Sequence, residues 1–442
     1  MSPRERRRLL LLGLPAFGMA LAITAVSTYL PVLASRQQAS TVAIGTIIGA
    51  EGLMALWVPV LVGERSDRLR TRIGGRLPFV IAGAPLMATC LCLVGLVGSV
   101  ALMGALIAIF FIGYFMAYAP YRALYPDLVG DELAGRSQSV QAACRGLGTG
   151  LALLGGGILL AAADFLPFVA SAVLLTLSLA AFVLLLLRRG DAERADRSRA
   201  RAGGPPHPFR HVWSLLRERR PLRLYLLANA LWELTLGAIK TFVVLYVTAG
   251  LGYSLDQASL IIGGVAIVVL AGALGSGWLG DRYGRGRVVE AGLWAYGLCL
   301  LVPAITTTRG ALLPAVLLIA LCGGMLMSLP YSLLMPLMPG DEHGALTGLY
   351  SVSRGLGVML GPLLAGLAIS LARPLFASTG GYAAAWWVAG LATLLSLVPL
   401  RRLRREGQRD DPSGVAVPGE GERERSEGGE ERSQLPQGVA NE

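Results

Sequence analysis

Lysine is almost missing from this 442-residue chain: Lys240 stands alone, and the rest of the 39 basic residues are arginines. Charge of either sign is scarce, at 15% of residues, where a soluble globular protein carries about a quarter. That deficit excludes an ordinary soluble domain. There are three histidines, His207, His211 and His343, and none lies within a long apolar run. The five cysteines (Cys90, Cys92, Cys144, Cys299 and Cys322) all fall in apolar stretches, and Cys90-Leu91-Cys92 lacks the two-residue spacer of a metal or redox pair. A disulfide framework and a metal site are therefore not expected. The sequence also has no Gly-rich phosphate loop and no nucleophile–His–acid arrangement, so neither an enzyme nor an ATP-driven machine is indicated, and no cofactor is expected.

What remains is apolar. Hydrophobic residues make up 54% of the chain, and the mean hydropathy is +0.60. Crossing a hydrocarbon core of about 30 Å takes roughly 20 apolar residues, and runs of that length recur throughout. They predict an all-α membrane protein of about twelve transmembrane helices, at 9–34, 41–62, 77–98, 101–126, 138–162, 164–187, 222–249, 257–279, 288–306, 311–335, 345–372 and 381–400. The first run follows Arg4–Arg8 but is too long for the apolar core of a signal peptide, so it reads as an uncleaved first helix. Four segments follow: a six-helix bundle over 1–187, a polar linker over 188–221, a second bundle over 222–400 and a disordered tail over 401–442.

A net charge of +11 would suggest nucleic acid in a soluble protein. In a membrane protein it marks the loops that stay on the cytoplasmic side, and nucleic acid is not expected as a partner. The N-terminus, the 63–76 loop, the 188–223 stretch, the 282–287 loop and the tail hold most arginines, whereas the opposite loops hold Arg36, Arg309 and Arg373. Both termini are therefore expected in the cytoplasm, with the chain in the cell's inner membrane.

The two bundles share sequence. Pro120-Tyr121 through Pro126, then Gly130-Asp131-Glu132, recurs 210 residues later as Pro330-Tyr331 through Pro336, then Gly340-Asp341-Glu342. Arg145-Gly146-Leu147-Gly148 recurs 209 residues later as Arg354-Gly355-Leu356-Gly357. An even number of helices per copy keeps both copies in one orientation, the parallel repeat of secondary transporters whose halves rock about a central site.

Gly277-Trp278-Leu279-Gly280-Asp281-Arg282-Tyr283-Gly284-Arg285 joins the eighth and ninth runs and resembles the G-x-x-x-D-R-x-G-R motif of the major facilitator superfamily. Its first-half counterpart is Gly63-Glu64-Arg65-Ser66-Asp67-Arg68, followed by Thr71-Arg72-Ile73-Gly74-Gly75-Arg76-Leu77-Pro78. That longer version is similar to the loop of the sucrose-carrier-like and glycoside-pentoside-hexuronide:cation symporter branch, with Gly75 and Leu77 where the branch has arginines. Pro120 to Leu128 and Gly135-Arg136 resemble the same branch. The resemblance implies the major facilitator fold and transport of a solute coupled to a cation, usually a proton. A tight turn there lets Asp and Arg groups pair across the halves, as a cytoplasmic gate built from Asp67, Arg68, Arg72, Arg76, Glu132, Arg136, Arg145, Asp281, Arg282, Arg285, Asp341, Glu342 and Arg354.

Charges inside apolar runs cost roughly 2.5–3.5 kcal/mol each on insertion scales, so each needs a reason. Glu51 lies near the centre of the second run, and Glu233 and Lys240 lie about 10.5 Å apart on one face of the seventh. Glu51 and Glu233 are candidate proton-coupling carboxylates. The alternative is permanent ion pairing, Glu51 with Arg145 and Glu233 with Lys240 or Arg354. The first run has no acid, which disfavours the sodium site of melibiose-type carriers and leaves the proton as the simpler coupling ion. Tyr114, Tyr118, Tyr121 and Tyr125 share one face of the fourth helix and either stack on a substrate ring or pack helices together. Trp57, Trp232, Lys240 and Tyr350 are further substrate-binding candidates.

These readings converge on a monomeric proton-coupled symporter of a sugar, glycoside or similar small polar metabolite, lodged in the lipid bilayer and working by alternating access. A proton-driven exporter of drugs or natural products is one alternative. Against it, the closest match to the exporters' G-x-x-x-G-P-x-x-G pattern falls at Gly357–Gly366, in the eleventh run rather than the fifth. A non-transporting assembly or sensor protein on the same fold is the other alternative.

Overall fold

The structure is a computed structural model that describes residues 3–128, 134–189, 219–334 and 343–410. Among the described residues there are twelve helices long and apolar enough to cross a membrane and no strands. They are α1 (Pro3–Arg36), α2 (Thr41–Arg68), α3 (Leu77–Val94), α4 (Val100–Leu128), α5 (Ala134–Ala162), α6 (Leu166–Arg189), α7 (Arg220–Leu245), α8 (Leu255–Tyr283), α9 (Arg285–Ile305), α10 (Arg309–Leu334), α11 (His343–Leu371) and α12 (Ala384–Asp410). A π-helical turn, Tyr246–Gly250, extends α7. Helices are the natural outcome because a hydrocarbon surround offers backbone groups no partner outside the segment itself.

Local chemistry sets several ends. The Ser40 side chain caps α2 by accepting from the Ala43 backbone N–H, and a Ser254–Gln257 capping box opens α8. Pro78 and Pro221 occupy first-turn positions of α3 and α7, where a missing N–H costs nothing. Three helices run further than hydropathy indicates. α2 carries Gly63–Arg68 in its last turns, and α8 continues to Tyr283, so most of both loop motifs is helical rather than turn. Arg65 and Arg68 in the last turn of α2 favour this, because cations complement the negative end of the helix dipole. The second turn shrinks to Gly284, whose φ of 86° suits a residue without a Cβ. α12 likewise extends through Arg401–Arg405 to Asp410. The expected linker from 190 to 218, the tail from 411, and Glu132, Asp341 and Glu342 lie outside the described residues.

The two sets of six helices pack by one scheme. In the first, α1 packs on α5 and α6, α3 on α4 and α6, and α2 on α4. In the second, α7 packs on α11 and α12, α9 on α10 and α12, and α8 on α10. Between the sets, α2 meets α11 and α5 meets α8, two contacts related by the repeat, while α1 meets α7.

These cross-contacts cluster toward one face, the one whose loops are poor in arginine. Thr41 Oγ1 of α2 donates to the Gly366 carbonyl of α11 at 2.7 Å. A Cβ on Gly45 would stand 2.3 Å from the Pro362 carbonyl oxygen, and one on Gly52 would stand 2.2 Å from that of Gly355. Small residues admit this backbone-to-backbone approach. On the other pair, Tyr29 Oη hydrogen-bonds Ser259 Oγ at 2.9 Å, and a Cβ on Gly157 of α5 would stand 1.9 Å from that same Oγ. Toward the arginine-rich face the same surfaces separate. A Cβ on Gly263 of α8 would stand 2.0 Å from the Leu154 side chain of α5, but Leu147, two turns away on α5, is 68% exposed, and Ile267, Leu270 and Leu274 of α8 are bare. A Cβ on Gly146 or Gly150 would meet nothing within 4 Å. The molecule is closed at its arginine-poor face and open at its arginine-rich face.

Candidate functional site

The interior charges gather where the halves meet. Glu51 projects from α2 and is 7% exposed. Its Oε2 lies 3.9 Å from Lys240 Nζ on α7 and accepts a 3.5 Å hydrogen bond from Ser27 Oγ of α1. This ion pair joins the two halves. Glu233, also on α7, pairs instead with Arg354 of α11, Oε1 to Nε, at 3.4 Å. Of the partners offered by sequence, Glu233 finds Arg354, whereas Glu51 finds Lys240 rather than Arg145. The reason lies in the helix faces: Glu51 turns toward α1 and α7, while Arg145 lies on the exposed part of α5.

Above this layer runs an aromatic ladder on α4. Tyr114 is buried and stacks on the half-buried Tyr118, with ring centroids 5.3 Å apart and planes 21° from parallel. The Arg122 guanidinium lies over Tyr118, 5.7 Å from its centroid, within the range of a cation–π contact. Below, Phe110 and Phe115 flank Tyr114. Arg145 from the first half and Arg354 from the second both lie within electrostatic reach of Tyr114 and Tyr118, and Glu51 within reach of Tyr114. The structure thus brings together Glu51, Lys240, Glu233, Arg354, Arg145, Tyr114 and Tyr118, with Tyr350 close to Arg354.

Other candidates sit elsewhere. Tyr121 is 1% exposed, donates its hydroxyl to the Leu12 carbonyl at 3.0 Å and meets Phe182 edge-on, inside the first bundle. Trp232 donates Nε1–H to Ser396 Oγ at 2.8 Å and packs edge-on to Tyr225, inside the second. Trp57 is 64% exposed on a stripe with Leu53, Val60 and Leu61, on the side of α2 away from Glu51, where lipid is its natural neighbour. The tyrosine stripe therefore divides: its deeper members face the interface, and Tyr121 serves packing.

Of the described gate cations, Arg68, Arg76 and Arg282 engage their own halves. Arg68 pairs with Glu64 one turn back at 2.6 Å, and Arg76 donates to the Ala123 carbonyl, tying the start of α3 to α4. Arg282 lies over Trp278 and Tyr283 of its own helix, and Arg72 is exposed. The side chains of Asp67, Arg136, Asp281 and Arg285 fall outside the described residues. Sequence reasoning missed Ser27, Tyr29 and Ser259. Hydroxyls buried in apolar helices were the available signal, but small polar residues are too common in such helices to single these out.

Comparison with known proteins now adds to this geometry. The family described as Major Facilitator Superfamily matches residues 2–153 and 233–426. Multidrug resistance protein 3 of Bacillus subtilis (strain 168) is 29% identical over 118 residues, which cover 27% of this chain and 23% of that protein. A probable actinorhodin transporter of Streptomyces coelicolor is 26% identical over 168 residues, 38% of this chain and 28% of that one. The chain thus matches about a quarter of the length of these curated relatives. Among solved structures, a bacterial homolog to the human lysosomal transporter Spinster, inward-facing and unoccupied, superposes with a TM-score of 0.75 at 13% identity, covering 92% of this chain and 98% of that one. That likeness shows the fold.

Proposed function

This chain belongs to the major facilitator superfamily, and from that premise we propose that it is a proton-coupled secondary transporter of a small polar molecule. The observation that carries the reading is the Glu51–Lys240 pair, an ionisable bridge between the two halves at the depth of the interface. At 3.9 Å its Coulomb attraction is about 4 kcal/mol at an effective dielectric constant near 20, partly offset by desolvation. A proton on Glu51 removes most of that attraction and loosens the grip of one half on the other. Among the described residues Lys240 and Ser27 contact Glu51 directly, so protonation there is felt first by a cation of the second half.

Alternating access then runs between the present arrangement and one closed at the arginine-rich face. In that second state Asp67, Arg68, Asp281 and Arg282 meet across the halves as a gate. By the arginine distribution the open face is cytoplasmic and the membrane is the inner one. Uptake of a sugar or glycoside draws support from the loop resemblance and the Tyr114–Tyr118 stack. Export is the second reading, favoured by the relatives named for multidrug resistance and for actinorhodin transport.

Purified protein in proteoliposomes separates the readings. Disaccharides and glycosides are screened for accumulation under an imposed inward proton gradient, and lipophilic cations and aromatic antibiotics for extrusion from loaded vesicles. Gradient-dependent accumulation of a sugar or glycoside supports uptake of a polar solute, and gradient-dependent extrusion of a lipophilic cation or antibiotic supports the export reading instead. Movement of none, with folded protein, contradicts both.

A further inference from the structure

We propose that one acyl chain of an anionic phospholipid enters the seam between α5 and α8 from the arginine-rich face, with its headgroup at Arg282. The site binds lipid and does not depend on which solute the protein carries. Its first support is an asymmetry between two seams that the repeat makes equivalent. Gly146 and Gly150 of α5 correspond, 209 residues on, to Gly355 and Met359 of α11. Where α2 meets α11, that level is shut. A Cβ on Gly52 would stand 2.2 Å from the Gly355 carbonyl oxygen and 2.4 Å from the Met359 nitrogen, and one on Gly355 would stand 2.9 Å from the Leu56 side chain. Where α5 meets α8, a Cβ on Gly146 or Gly150 finds nothing within 4 Å among the described residues. The α5–α8 seam is parted at a level where its counterpart still packs backbone to backbone.

The second support is the chemistry and depth of the parted surfaces. Residues two or three whole turns apart share a helix face. Leu147 therefore continues the face of Leu154 on α5, and Leu270 and Leu274 continue that of Ser259 and Gly263 on α8. Ile267 and Trp278 extend the α8 stripe, and all five of these apolar side chains are more than half exposed. Leu147 and Leu270 each lie ten residues from the arginine-side end of their spans, Ser137 and Gly280, or about 15 Å along the helix. That is half of a hydrocarbon core about 30 Å thick, the depth reached by the chains of one leaflet. A gap with apolar walls stays dry, and hydrocarbon is what surrounds this one.

The third support is the charge at the mouth. The α8 stripe ends at Trp278, and the Arg282 guanidinium one turn on lies over that indole, 5.4 Å from the ring centroid. A cation is thereby held just past Gly280, at the level of the headgroups, where an anionic one meets it. Closing the arginine-rich face would bring Gly146 and Gly150 against α8 as Gly355 now lies against α2, so the chain must leave first. Lipid occupancy thus favours the open arrangement.

The test uses the purified full chain in nanodiscs of phosphatidylcholine and phosphatidylglycerol. Native cysteines are replaced, and bimane is attached at Leu147→Cys or at its repeat counterpart, Leu356→Cys. The quenchers are phospholipids brominated in mid-chain, and iodide in the water. The proposal expects lipid quenching at least about twofold stronger at Leu147 than at Leu356, with little iodide quenching at Leu147, because an apolar gap excludes water. Gly150→Phe, which fills the gap with its own ring, lowers the lipid quenching at Leu147. Arg282→Gln removes the advantage of brominated phosphatidylglycerol over brominated phosphatidylcholine there, and Arg309→Gln at the opposite face keeps it. Iodide quenching that exceeds lipid quenching at Leu147, equal lipid quenching at both positions, or no response to Gly150→Phe in protein of unchanged thermal midpoint overturns the insertion of a chain. A phosphatidylglycerol advantage that survives Arg282→Gln overturns the headgroup contact. Failure of the transport reading would leave all of these signals in place.

Discussion

Replacing Gly45 by alanine probes the closed face directly. The new Cβ would lie 2.3 Å from the carbonyl oxygen and 2.8 Å from the carbonyl carbon of Pro362. Both atoms are backbone, so no side chain can rotate away. An ordinary C···O contact is roughly 3.3–3.6 Å, so α2 and α11 must part by about 1 Å at this level. Overpacking of that kind costs about 1–3 kcal/mol. The cost falls on the state in which these helices touch, so the balance moves about 5- to 150-fold toward the state open at the arginine-poor face. The assay is the distance between spin labels at Leu96→Cys and Leu375→Cys, two positions 65% and 84% exposed on loops of that face, with the native cysteines removed. Gly45→Ala is expected to add a longer-distance population. Gly63→Ala, whose Cβ meets nothing within 4 Å, is expected to leave the distribution unchanged. A Gly45→Ala distribution superimposable on that of the parent would refute the view that this contact holds the face shut.

Four further perturbations follow from the geometry. Lys240→Ala strands Glu51 and should destabilise the protein by about 1–3 kcal/mol, less than the 3–5 of a fully buried pair because the Lys240 side chain is 38% exposed. Thermal unfolding should show the loss and its partial recovery in the Glu51→Gln/Lys240→Met double variant. Tyr29→Phe removes the hydroxyl that meets Ser259 and should lengthen the same spin-label distance, at a cost near 1 kcal/mol. Trp232→Phe removes the bond to Ser396 and should lower stability by about 1–2 kcal/mol. Trp57→Leu should leave both stability and transport unchanged. A loss of substrate affinity in either tryptophan variant, measured against the folded fraction, would return that residue to the site.

Much of this architecture was legible in the chain. Apolar runs about 20 residues long have few options in a bilayer, and matching identities 209 and 210 residues apart imposed a parallel repeat. Helix ends were less legible, because hydropathy falls at Gly63 while the backbone stays helical to Arg68, where arginines stabilise the terminus. The site was legible as a set of charges but not as a set of pairs. Partner choice depends on how each helix is turned, and one sequence does not fix that rotation: Glu51 reaches Lys240 because α2 presents it toward α7. The tyrosine periodicity put four residues on one face without separating Tyr118, at the interface, from Tyr121, sealed against Leu12 and Phe182. The contact between Tyr29 and Ser259 joins residues 230 positions apart, and no local pattern announces it.

The most direct test of proton coupling compares the parent with Glu51→Gln in proteoliposomes, using whichever solute moves in the flux screen. Net gradient-driven movement and solute exchange at equal pH are measured on the same preparations. The account predicts that Glu51→Gln abolishes the first and preserves the second, since halves freed of the charged bridge still rock but no longer carry a proton. Undiminished gradient-driven movement by folded Glu51→Gln protein would contradict it and send the coupling role elsewhere.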